Sequence, residues 1–62
     1  MIIEITRSLD KYPSVGDVFR VKNYPYDSDK YTLLEQLDPA THQAINDDIG
    51  LNEYKSNCKI IV

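Results

Sequence analysis

His42 and Cys58 are the sole histidine and the sole cysteine of a 62-residue chain, so covalent catalysis would have to run through them. A nucleophile needs a base beside it that a third group orients. Cys58 stands two residues before the apolar triplet Ile60-Ile61-Val62, where cysteine serves as a small hydrophobe. One histidine and one cysteine are also too few for a structural zinc site within a single chain. Carboxylates gather in "DSD" at 27 to 29 and in "NDD" at 46 to 48, but neither continues into an Asp-x-Asp-x-Asp-Gly loop with a distal glutamate. Both compositions read as solvated turns. Paired carboxylates for acid and base work need a fixed separation across a cleft, which this spacing does not define. Gly16 and Gly50 stand alone, so no glycine-rich loop cradles a phosphate. The expectation is a protein that is not an enzyme and uses no metal or cofactor.

A different chemistry is written in "NYPYDSDKY", Asn23 to Tyr31, which sets three tyrosines and two aspartates within nine residues. Tyrosine offers a large contact area, a polar tip and few rotors, which is why interfaces favour it. Rings interleaved with carboxylates can stack on, hydrogen-bond to and attract arginine or lysine side chains. Tyr24, Tyr26, Asp27, Asp29 and Tyr31 are therefore the first candidates for binding a protein partner with a basic surface. Asp47, Asp48 and Glu53 form a second acidic set. Tyr31 and Tyr54, with apolar neighbours, also fit a core.

Charge points the same way. The net charge is −3, and residues 27 to 62 hold seven acids against Lys30, Lys55 and Lys59, while residues 1 to 26 are slightly basic. Acidity in the second half argues against direct binding to nucleic-acid phosphates. An acidic chain can instead occlude a basic, nucleic-acid-handling surface by placing carboxylates where phosphates would lie. In size and charge the chain resembles small acidic inhibitors carried by phages and other mobile elements. Two alternatives compete with this function. One is an assembly module that forms a homodimer or joins a complex through the apolar C-terminal "KIIV". The other is single-stranded nucleic-acid binding by stacking on Tyr12, Phe19 and Tyr24 with Arg20.

Those residues need a scaffold, and 62 residues allow one small domain near the lower limit for folding without disulfides or metals. Alternation in "IIEITRSL" and in "DVFRVKNY" predicts strands. Pro13, Ser14, Gly16 and Asp17 mark the loop between them, and "PYDSD" marks the next turn. "KYTLLEQLD" reads as a strand, with Leu33, Leu34 and Leu37 at helical spacing as the competing pattern. In "DPATHQAINDDIG" an Asp38 cap, Pro39 at the first position and Gly50 at the end predict a short helix. The alternative is a hairpin with "DPATH" as its turn and "QAIN" as its return strand. "IGLNEY" fits one helical turn, and "CKIIV" a final strand.

This order, with "SVGDVFRVK" as its local signature, resembles an SH3-like barrel of about five short strands. The SH3 signalling family grips proline-rich ligands with loop aromatics, a strand tryptophan and a tyrosine near the last helical turn. Tyr12 and Tyr54 match two of those places, but the chain has no tryptophan, so the likeness is carried to the fold and not to the ligand. No basic leader with an apolar run, no bilayer-length segment and a lone cysteine together predict a cytoplasmic setting, that of the host cell if the protein is viral.

Overall fold

Alternating apolar residues can bury one face of a sheet only if successive strands pair in register, and the chain does this from its second residue. The computed structural model describes residues 1–62. It holds β1 (Ile2–Ile5), β2 (Val18–Asn23), β3 (Lys30–Leu37), β4 (Ala44–Asn46), β5 (Leu51–Tyr54), a 3-10 turn (Lys55–Asn57) and β6 (Cys58–Ile60). Strands take 45% of the residues and helix 5%, which makes the protein mostly β. All pairings are antiparallel. The path β4-β3-β2-β1-β6 is open at both ends, and β5 lies on the same edge of β3 as β4.

Ile3 faces Phe19 across β1 and β2, and Val21 faces Leu33 across β2 and β3. Paired residues share a face, so these side chains meet with Ile5 and Tyr31 in one buried cluster, against which Ile49 and Cys58 pack. Only nine of 62 residues are buried, so Phe19, fully enclosed at their centre, carries a large share of the packing. The long β1–β2 connection closes over one side of this cluster. Ile5 N–H donates to Asp17 and Gly16 N–H donates to Ile5, both at 2.8 Å, with Gly16 at φ +94°, where a side chain would be strained. From this loop Tyr12 lays its ring edge-on to Phe19, 6.1 Å between centroids, and donates its hydroxyl to Gln36 Oε1.

The register between β2 and β3 passes from Val21–Leu33 to Arg20–Glu35, leaving Leu34 as a bulge with no residue opposite. The other edge of β3 is disturbed at the same level. Leu33 pairs with Leu51 and Gln36 with Asn46, so the four residues Asp47 to Gly50 stand opposite Leu34 and Glu35 alone. β4 and β5 are thus one return strand interrupted by a loop-out, turned back by Gly50 at φ +64°.

Residues 38 to 50 form a hairpin and not the expected helix. The capping signal is real but lasts one turn. Asp38 Oδ1 accepts from Ala40 at 2.8 Å and Thr41 at 3.0 Å, and His42 N–H donates to Asp38. His42 then enters the left-handed region at φ 60°, which ends helical propagation and sends the chain back beside β3. "LNEY" is likewise a strand, and the 3-10 turn falls just after it at Lys55–Asn57.

Candidate functional site

The β2–β3 connection gathers four of the candidate residues. Tyr24 N–H donates to Lys30 at 3.1 Å, Asp27 N–H to Tyr24 at 3.4 Å and Lys30 N–H to Asp27 at 3.2 Å, so the turn closes on itself. Asp27 Oδ1 accepts from Asp29 N–H at 2.9 Å, an Asx turn that uses one carboxylate oxygen and leaves the other free. The turn is also tied to β5's end, because Asp29 accepts from Lys55 N–H at 2.8 Å. Pro25 between the two tyrosines sets their backbone, and their rings meet edge-to-face with centroids 5.6 Å apart. Tyr24 is half-buried and Tyr26 is 86% exposed.

The remaining candidates are placed otherwise. Tyr31 is 6% exposed and belongs to the core, which takes its ring out of reach of a partner. Tyr54, which also fitted a core, is instead 51% exposed. Glu53 is engaged within the fold, its Oε1 accepting from Tyr54 N–H at 2.8 Å and from Asn57 Nδ2 at 2.9 Å. Asp47 and Asp48 lie in the β4–β5 loop-out, several residues along β3 from the tyrosine turn. They do not join its carboxylates in one patch.

Two residues that the sequence did not single out complete the tyrosine end. The ammonium of Lys30 sits 4.7 Å from the Tyr54 ring centroid and that of Lys55 sits 5.1 Å from the Tyr31 centroid. Lys30 and Tyr54 are register partners across β3 and β5, so this contact follows from the strand pairing. Elsewhere Arg20 pairs with Glu35 at 2.6 Å and Lys59 with Glu4 at 4.0 Å. Asp27 and Asp29 have no ion-pair partner.

Two residues of the nucleic-acid alternative are engaged within the fold. Phe19 is fully buried and cannot stack on a base, and Arg20 is held by Glu35. Cys58 packs against the core, donates Sγ to the Tyr54 carbonyl at 3.4 Å, and has its pKa pushed up to about 11 by burial and by the Glu53 carboxylate. Such a thiol is a poor nucleophile. Burial and Asp17 also raise the Tyr12 hydroxyl pKa. Asp38 is lowered from 3.8, first by the Thr41 and Ala40 backbone hydrogen bonds. No helix is long and apolar enough to cross a membrane.

The C-terminal edge is apolar and short. After Ile60, both Ile61 N–H and Val62 N–H donate to Ile2, at 2.8 and 3.3 Å, and Ile2 N–H donates back to Val62 at 2.9 Å, a bulge through which pairing with β1 continues to Val62. Ile60 is 60% and Val62 71% exposed. A scan of protein-family models and searches of curated proteins and of solved structures return no match to the chain.

Proposed function

We propose that this protein is a non-catalytic binding module whose β2–β3 turn docks on a basic protein surface. One observation carries the reading: an 86%-exposed Tyr26 projects from a turn already fixed by its own backbone hydrogen bonds, beside two carboxylates that no cation of the chain neutralises. A ring and charges presented on a rigid turn lose little conformational entropy on binding. The partner surface is basic, and occlusion of a nucleic-acid-gripping site, in the manner of a phage or mobile-element inhibitor, is the form of action that this chemistry serves best.

The scaffold reading that goes with it is an SH3-like barrel. Three features support it: β3 carries β2 on one edge and β4 with β5 on the other, the 3-10 turn leads directly into β6, and β6 returns to pair with β1. Binding of a basic protein should fall steeply with added salt and disappear when Asp27 and Asp29 are both replaced by Lys. Salt-insensitive binding would sink the proposal.

Exposed Ile60 and Val62 on a free sheet edge favour one second reading, assembly through β6. It requires a mass that grows with concentration in light scattering, and a strict monomer at millimolar concentration removes the homodimer.

A further inference from the structure

Four tyrosines lie at the turn end of the sheet, and the chain treats them in two ways. Tyr31 and Tyr54 each carry a lysine ammonium of the chain itself over the ring, at 5.1 and 4.7 Å. Tyr24 and Tyr26 carry none; they contact each other at 5.6 Å with planes 70° apart, so part of their ring surface is left open. Asp29, exposed, and Asp27, with one oxygen outside the Asx turn, flank that pair.

We infer that the open Tyr24–Tyr26 pair is a seat for an arginine side chain of the basic partner, the guanidinium lying on a tyrosine face with Asp27 and Asp29 matching its charge. The inference rests on the proposed docking at this turn and names the group that the turn grips. Charge complementarity selects a cation, as the two lysine-capped rings next to it show. Guanidinium suits this place better than ammonium for two reasons. It is planar and weakly hydrated, so it gives up less solvation on an exposed ring, and its fork can donate to a carboxylate while its face stays on the tyrosine.

The test is a heteronuclear NMR titration of the full chain at low salt with two acetylated peptides, Arg-Gly-Arg-Gly-Arg and Lys-Gly-Lys-Gly-Lys. The arginine peptide should bind more tightly, with amide shifts centred on residues 24 to 29. Tyr26→Leu should weaken it by about two- to fivefold, the size of an exposed cation–π contact, while leaving the lysine peptide nearly unchanged. Tyr26 is so exposed that this variant should keep its melting temperature, which is checked alongside. Equal affinity of the two peptides at residues 24 to 29 would overturn the guanidinium seat and leave docking on a basic surface standing. Shifts confined to residues 47 to 50, or none with either peptide, would overturn both.

Discussion

Two acidic segments border the long strand β3, one leading into its start and one beside its middle, and they are built on contrary principles. In the Tyr24–Asp29 turn the backbone is bonded to itself and to Lys55, and the acids stand among aromatic rings. In the Asp47–Gly50 loop-out no residue makes a backbone–backbone hydrogen bond; Asp48 N–H donates to Asn46 Oδ1 at 3.2 Å, and Ile49 alone packs against the core. The first presents a fixed surface. The second interrupts a sheet edge, with two charges placed where another chain would otherwise pair. Under the proposed docking, what surrounds the charge, and not negative charge alone, is what sets the tyrosine turn apart from the loop-out.

The largest expected difference is in backbone protection. Amides of Tyr24, Lys30 and Lys55 should exchange with solvent on the order of a hundredfold more slowly than those of Asp47, Ile49 and Gly50, about 3 kcal/mol of local opening. Equal rates in the two segments would break the contrast at its root. Next comes self-association. Asp47→Val with Asp48→Thr removes both charges from the β4–β5 edge beside Ile45, which is 60% exposed, and should turn a monomer into a concentration-dependent oligomer in sedimentation. Charge removal at Asp27 and Asp29 should not.

Acid should act at the far end of β3, outside both segments. The Asp38 carboxylate that holds the turn into β4 has its pKa depressed by the Thr41 and Ala40 backbone hydrogen bonds. Its contribution is fully present above the ordinary 3.8 and is lost as pH falls through the depressed folded value, since the unfolded chain binds the proton first. Amide shifts followed from pH 5 to pH 2 should show Ala40 and Thr41 responding in that range, and Asp38→Ala should erase the response. The smallest effect is at His42, held at φ 60°. His42→Gly relieves the left-handed strain but frees the unfolded chain, so a net gain of about 0.5 kcal/mol is expected in thermal unfolding.

The strands β1, β2 and β3 were legible because each sets two core residues with one residue between them, Ile3 with Ile5, Phe19 with Val21 and Tyr31 with Leu33, and β6 because it is a short apolar run. The Asp38–Pro39 segment misled because a helix cap and a one-turn hairpin loop use the same Asx chemistry. What separates them is the backbone of His42, which no side-chain pattern records. Glu53 looked like a free acid because its role depends on where the 3-10 turn falls, which is just after the "IGLNEY" segment and not within it. Lys30 over Tyr54 could not be read at all, since it comes from the register of β3 with β5. The tyrosine turn itself was legible, because Pro25 and the Asx-turn aspartates lie within one local stretch.

The most direct test compares two charge reversals, Asp27→Lys with Asp29→Lys and Asp47→Lys with Asp48→Lys. Each is used beside the unaltered protein to capture partners from nuclease-treated lysate of the source organism, or of its host, at low and high salt. The account predicts one basic protein retained by the unaltered chain and by the 47/48 variant at low salt, and lost by the 27/29 variant and at high salt. Retention by the 27/29 variant with loss by the 47/48 variant would contradict it.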